Sequence, residues 1–487
     1  MNNVNLSNDT LRLKKEILVR LIKTFYTDNF EENSRLIPFD MRPKGCEVTY
    51  RCCVYKERAA IRNRTMAYLG IALENDTERE PIEAYARIAQ NREKPDRNVL
   101  TVVESACQGC LPNAMYVTEL CQGCVARPCF NSCRFSAISF ENGRSSIDPN
   151  KCRQCGMCLK ACPYQAIVRR IVPCENVCPV GAIAKGPSGY AKIDFDKCIS
   201  CGKCVAFCPF GAVHEKSQII DVLSRMKRGM KVVAMISPAS AGQFPGTLEQ
   251  LNTALRKIGF HDVVEVARGA DVTTENEARD FLERMERGDA FMTTSCCAAY
   301  NELVKKHLPE LKPFVSDSRT PLYYTAEMVK EKYPDAVTVF FSPCVAKRKE
   351  ASDNDNVDYI LTFEEMGALM IAFNIQVGKC EETPFPERSS RQGRGFPVIG
   401  GVAESVRVAL GKRSSSLRPV VVAGLDKQSV KELRRYAKGE ASPDGNLVEV
   451  MSCPGGCVSG NAVVNSMRAA VKKVGEYSRA GEDIPEI

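Results

Sequence analysis

The residues most able to do chemistry lie in three short stretches in the second half of the chain. In Met451-Ser452-Cys453-Pro454-Gly455-Gly456-Cys457-Val458-Ser459-Gly460, two thiols separated by Pro-Gly-Gly can both turn toward one soft metal centre. The glycines carry no Cβ, so backbone amides can approach the sulfurs. Ser295-Cys296-Cys297 and Ser342-Pro343-Cys344 add further thiols. Adjacent cysteines do not easily serve one cluster together, so one of Cys296 and Cys297 is left for another task. Each stretch follows an apolar run (Leu447 to Val450, Ala290 to Thr294, Ala336 to Phe341) that reads as a buried strand. Open α/β sheets hold ligands beyond the carboxyl ends of their strands, which would bring the three stretches together.

A second cysteine pattern fills residues 101–215. Four times a Cys-x3-Cys is followed, four residues on, by Ala and then Ile or Val: Cys129/Cys133, Cys158/Cys162, Cys174/Cys178 and Cys204/Cys208. A fixed pattern of this kind marks a duplicated structural unit. Cys121/Cys124, Cys152/Cys155 and Cys198/Cys201 precede three of the units, and Cys107/Cys110 is the spare pair, giving thiols for four [4Fe–4S] clusters. Cys152 to Pro163 and Cys198 to Pro209 match the bacterial ferredoxin run, in which the fourth cysteine serves the neighbouring cluster. That resemblance groups Cys121, Cys124, Cys129 and Cys162; Cys152, Cys155, Cys158 and Cys133; Cys198, Cys201, Cys204 and Cys178; and Cys107, Cys110, Cys174 and Cys208. The Cys107/Cys110 and Cys121/Cys124 knuckles could instead form one zinc site.

The 487 residues divide into a helical N-terminal segment (1–100), a ferredoxin-like α+β iron–sulfur domain (101–215) and an α/β domain (216–487). In the last, strands at 232–236, 262–266, 290–294, 336–341, 359–362, 420–422 and 447–450 alternate with helices, predicting two βα layers around a cleft. The Ser389 to Gly395 stretch reads as a loop. An amphipathic helix with Leu11, Ile17, Leu18, Leu21, Ile22 and Phe25 follows a cap at Ser7 to Thr10, and a second covers Glu57 to Leu73. Cys46, Cys52 and Cys53 read as buried structural thiols. Twenty-five cysteines against three histidines describe an intracellular metal protein rather than a disulfide scaffold. A net charge of +8 without like-charge blocks argues against nucleic acid and for an acidic protein partner. No leader or apolar run of membrane length appears, which predicts a cytoplasmic protein without a membrane span.

Thr294 to Tyr300 (TSCCAAY), Ser342 to Glu350 (SPCVAKRKE) and Glu449 to Gly460 (EVMSCPGGCVSG) resemble the three signatures of [FeFe]-hydrogenases, in the same order, over roughly residues 230–475. The details are closest to the group B branch. The resemblance implies an H-cluster, a [4Fe–4S] cubane joined to a two-iron subsite with CO, cyanide and a dithiolate, held by Cys297, Cys344, Cys453 and Cys457. It gives Lys347 the task of donating to an iron-bound cyanide and makes Pro238, Phe396 and Met451 cleft walls. Cys296 becomes the proton-carrying thiol, and Glu277, Asp280, Ser316 and Glu350 match the relay and the motif glutamate. Without it, Lys347 and Asp280 read as solvated, and Thr274-x-x-Glu277 as a capping box.

The implied activity is reversible formation of H2 from two protons and two electrons, with ferredoxin or flavodoxin as electron partner and maturation proteins supplying the cofactor. The alternatives are a hydrogen sensor or redox regulator with the same cofactor, and a hydrogenase-like iron–sulfur assembly protein. The pattern departs from the family at Ala298-Ala299-Tyr300 (usually Pro-Gly-Trp), Ser342 (methionine), Leu322 (glutamine) and Asn461-Ala462 (a Gly-rich run).

Overall fold

Four helices open the structure: α1 (Asp9–Phe25), α2 (Phe30–Met41), α3 (Val54–Tyr68) and α4 (Ile82–Asn91). The computed structural model describes residues 9–47, 50–387 and 389–487, so Ser7 and Asn8 of the expected cap lie outside the described residues. Ile17, Leu18, Leu21, Ile22 and Phe25 form the buried face of α1, as their spacing requires. That face joins one core with Val232, Ile236, Phe341 and Phe363. Each large side chain buried there contributes about 1.5–3 kcal/mol. Helix α3 begins earlier than expected, with Cys53 at its cap position, and ends at Tyr68, just before Gly70 turns the chain at φ +77°. Helix α2 went unread because Pro38 lies inside it. Cys52 is exposed and Cys46 and Cys53 are half-buried, which corrects the buried-thiol reading. Cys46 and Cys52 belong to the connection between α2 and α3, outside the packed helix faces.

The repeat region forms short strands: β1 (Leu100–Val102), β2 (Ala114–Val117), β3 (Ile138–Glu141), β4 (Arg144–Ile147), β5 (Ile167–Arg170), β6 (Ile183–Lys185), β7 (Ala191–Ile193) and β8 (Val213–Glu215). They pair antiparallel as β1–β8, β2–β5, β3–β4 and β6–β7. The pattern of the repeat now has a cause. A one-turn helix carries the first cysteine of each Cys-x3-Cys. The alanine N–H then donates to the second sulfur: Ala137 to Cys133 at 3.5 Å, Ala166 to Cys162 at 3.4 Å, Ala182 to Cys178 at 3.2 Å and Ala212 to Cys208 at 3.3 Å. The following Ile138, Ile167, Ile183 or Val213 starts a strand and is buried.

The remainder holds two parallel sheets. The strands are β9 (Val232–Ile236), β10 (Asp262–Glu265), β11 (Met292–Thr293), β12 (Val337–Ser342), β13 (Tyr359–Thr362), β14 (Pro419–Ala423) and β15 (Leu447–Met451). One sheet has the order β10-β9-β12-β13 and the other β11-β15-β14. Strands β9, β12 and β15 are buried throughout, which is why they read as continuous apolar runs. Residues 389–395 are not all loop: Ser390 caps a short helix, Arg391–Gly395, its Oγ accepting the Gly393 N–H at 2.9 Å. The Ser/Arg/Gly composition hid that turn of helix. No described helix is long and apolar enough to cross a membrane.

Candidate metal centre

Three strand ends place the cysteines of the second half. Cys297 follows β11, Cys344 follows β12 of the other sheet, and Cys453 and Cys457 follow β15. Both sheets thus supply ligands. The four thiols lie within electrostatic reach of one another. Burial pushes Cys344 up to about 11 and Cys457 up to about 12, with the neighbouring thiols acting in the same direction. Gly456, at φ +80°, permits the turn: a Cβ there would meet Ile399 N and Pro397 O at 2.6 Å. The Ser452 N–H donates to Cys297 Sγ at 3.4 Å. Four half-buried thiols gathered from three strand ends, with an amide aimed at one sulfur, fit an iron–sulfur group.

Cys296 lies beside this basket but turns elsewhere. It packs with Ala270, Phe396, Val402 and Met451, with Cys297 and Ile399 adjoining. Burial raises its thiol, and the nearby Glu277 adds to the shift. Glu277 is fully buried in the helix Ala267–Arg287. Its Oε1 accepts from Ser295 N at 3.0 Å and Ser295 Oγ at 3.3 Å, whereas Oε2 has no partner among the described residues. Burial pushes its carboxyl up to about 7, against the pull of the Ser295 donors. Thr274 is no helix cap, because the helix starts seven residues earlier; its Oγ1 donates to Ala270 O at 2.8 Å.

One turn on, Asp280 is not solvated. Arg284 Nε donates to it at 2.5 Å and the Asp317 N–H at 2.9 Å. Arg284 also pairs at 3.0 Å with Asp317, whose side chain is 92% exposed. Ser316 is buried in the same loop, its Oγ accepting from Ser318 N at 3.2 Å. Asp280 and Ser316 thus lie beside an exposed carboxylate, Asp317. The sequence marks Ser295 only as a flank of its two cysteines, and Arg284 not at all; the i, i+4 spacing of Asp280 and Arg284 was the available signal.

Lys347 Nζ reaches Cys296 O at 3.3 Å and Glu350 Oε2 at 2.5 Å. Burial alone would lower its ammonium, but the Glu350 carboxylate together with the nearby Cys457 and Cys296 thiols makes the net shift upward. Glu350 is also held by the Thr320 hydroxyl. Pro238 is buried at the start of the turn Pro238–Gly242, which packs against the turn Cys457–Ser459. Among the departures, Ser342 Oγ accepts the Cys344 N–H at 3.1 Å and so shapes that ligand's loop. Tyr300 is buried with its OH at 2.7 Å from Thr293 Oγ1. Leu322 packs with Val233, Met235 and Phe340. Asn461 Nδ2 donates to Cys201 O at 2.6 Å, tying the end of the third stretch to the repeat region.

The repeat cysteines gather in quartets. Cys121, Cys124, Cys129 and Cys162 line one small cavity, Cys133, Cys152, Cys155 and Cys158 a second, and Cys107, Cys110, Cys174 and Cys208 a third. Cys178, Cys198, Cys201 and Cys204 lie within electrostatic reach of one another. The two CQGC knuckles thus face different cavities, and a zinc site shared between them has no geometry. The quartets also adjoin. Gln154, next to Cys155, donates to Asn113 O at 3.0 Å, and Asn113 donates to Glu175, next to Cys174, at 3.1 Å. Cys107, Cys174 and Cys198 belong to one apolar cluster, and Cys201 packs with Cys297 and Cys344 around Ala298, Ala299 and Ala346.

Residues 230–461 match the family model described as "Iron only hydrogenase large subunit, C-terminal domain". Residues 145–167 match a "4Fe-4S binding domain", and 168–219 the "LdpA Fe-S cluster-binding domain". The chain is similar to the periplasmic [Fe] hydrogenase large subunit of Nitratidesulfovibrio vulgaris, 28% identical over 50% of this chain and 72% of that one. It is 27% identical to iron hydrogenase 1 of Clostridium pasteurianum, over 65% of this chain and 64% of that one. Cytosolic iron-sulfur assembly component 3 of Bos taurus is 25% identical over 50% of this chain and 62% of its own length.

Proposed function

We propose that this hydrogenase-like protein, with its iron–sulfur region ahead of the 230–461 domain, is an [FeFe]-hydrogenase interconverting H2 with two protons and two electrons. The observation that carries the reading is the pairing of a four-thiol basket with a separate buried thiol. Cys297, Cys344, Cys453 and Cys457 would hold the H-cluster, and Cys296 stands apart beside Glu277. When bound, that cofactor supplies the iron position and the electrons with which protons combine. The protein's residues do the rest. Cys296 holds a proton at Sγ and Glu277 exchanges it, its carboxyl near neutrality suiting both uptake and release. Asp280 and Ser316 continue the path toward Asp317 at the surface. Lys347, fixed by Glu350, holds an ammonium that would donate to an anionic ligand of the cofactor. Phe396 and Met451 exclude water.

Sixteen thiols in four quartets would hold four [4Fe–4S] clusters, the 178/198/201/204 set lying against the basket. Electrons would arrive from a ferredoxin or flavodoxin, and maturation proteins would install the two-iron subsite. The similarity to an iron–sulfur assembly component favours a second reading, a cluster carrier without that subsite. Hydrogen evolution from a chemical reductant by the fully matured protein separates the two. Steady evolution supports the enzyme. Loaded clusters with no hydrogen formed contradict it.

A further inference from the structure

Two of the quartets lie far along the chain from the basket, and their surroundings differ in charge. Around Cys121, Cys124, Cys129 and Cys162 the cations are engaged: Arg144 pairs with Glu119, and the Arg127 guanidinium lies 4.0 Å from the centre of the Phe140 ring. The second quartet is different. Cys155 is exposed, whereas each of the other fifteen repeat cysteines is buried or half-buried. Phe135, Arg153 and Met157 line the same cavity as Cys155, and Phe135 and Met157 are each 44% exposed. Arg134, between Cys133 and Phe135, and Arg153 are exposed, and no carboxylate pairs with either among the described residues. An apolar centre with an unpaired cationic rim, set over an exposed ligand, is built for contact with an anionic surface.

We propose that the face formed by Phe135, Met157, Arg134 and Arg153 around Cys155 is the docking surface for an acidic one-electron carrier protein, whose carboxylates meet the two arginines. The proposal rests on the reading that this quartet holds a [4Fe–4S] cluster. One electron leaves the reduced carrier and enters the chain there; no bond forms or breaks. Unpaired arginines at such a rim speed encounter through long-range attraction, which salt screens within about 10 Å at 0.1 M. The 121/124/129/162 quartet, with its cations engaged and Val125 98% exposed, lacks that attraction.

The test uses the holoprotein and, as probe, an acidic [2Fe–2S] ferredoxin reduced with dithionite, its reoxidation followed by stopped flow at low ionic strength. The Arg134→Glu/Arg153→Glu double variant should slow reoxidation about fivefold or more and lose the parent's salt dependence. Arg134→Lys/Arg153→Lys should keep the parental rate, and Val125→Glu should leave it unchanged. Direct reduction by dithionite should load the same number of electrons into parent and double variant, so a slowed rate does not reflect missing clusters. A smaller slowing in the charge reversal, equal slowing in Val125→Glu, or no transfer to the parent would overturn the proposal. Hydrogen is not measured, so failure of the hydrogenase reading leaves this result interpretable.

Discussion

Cys296 and Cys297 are neighbours in sequence with different surroundings. Cys297 Sγ receives an amide hydrogen bond and lies among three other thiols; Cys296 faces Glu277, Phe396 and Met451. Cys297→Ala should therefore prevent stable loading of the basket. Cys296→Ser should keep the iron content and cofactor spectrum while hydrogen evolution falls by roughly 10²-fold or more, since serine's hydroxyl is a poor proton carrier. Parental evolution by Cys296→Ser, measured with a chemical reductant, would make this thiol a packing residue. The distinction was only half legible in the sequence. The resemblance assigned the roles, and the adjacency required one free thiol, but neither indicated Ser295 as the donor to Glu277. That contact depends on β11 running beside the Ala267–Arg287 helix, a tertiary fact with no local signature. Asp280 shows the reverse: its i, i+4 relation to Arg284 was present in the sequence, yet without the resemblance, which gave it a relay role, the residue read as solvated.

Strand ends, turns and caps decide where the ligands stand. Gly456→Ala places a Cβ against backbone atoms at 2.6 Å and strains a left-handed residue, so the Cys457 turn should not close. The purified variant should lose about six irons, those of the H-cluster, and retain those of the repeat region; an unchanged iron count would show that the turn adapts. Strand β8 carries a second testable feature. His214 is buried against Tyr68, ring centres 4.6 Å apart, and burial lowers its pKa from 6.5 to about 4. Because the folded value is depressed, its contribution to stability is intact above pH 6.5 and is lost as pH falls toward 4. Thermal midpoints of the parent should fall more steeply over that window than those of His214→Phe, by the equivalent of about 2–3 kcal/mol. Parallel slopes would mean the imidazole is not held neutral. At this scale the buried strands were readable as apolar runs, whereas the helix containing Pro38 and the Ser390-capped turn were not, because their composition imitates loops.

For the whole molecule, the quartets and the basket adjoin from one end of the repeat region to the cleft, with Asn461 and Ala298 to Ala299 at the last junction. Spacing alone could not group these cysteines, since the fourth cysteine of a run turns to a neighbouring unit; the ferredoxin resemblance supplied the grouping into quartets that line separate cavities. Fully matured protein should contain about 22 irons and no zinc; elemental analysis finding zinc with about four fewer irons would remove one quartet from the electron path. The hydrogenase reading requires the four-thiol basket, with Lys347 nearby, to carry a two-iron subsite bearing CO and cyanide. The infrared spectrum of the matured protein tests it most directly. Sharp bands from iron-bound CO and from cyanide are expected, with the cyanide bands displaced in Lys347→Met. A fully iron-loaded protein with neither set of bands would contradict it.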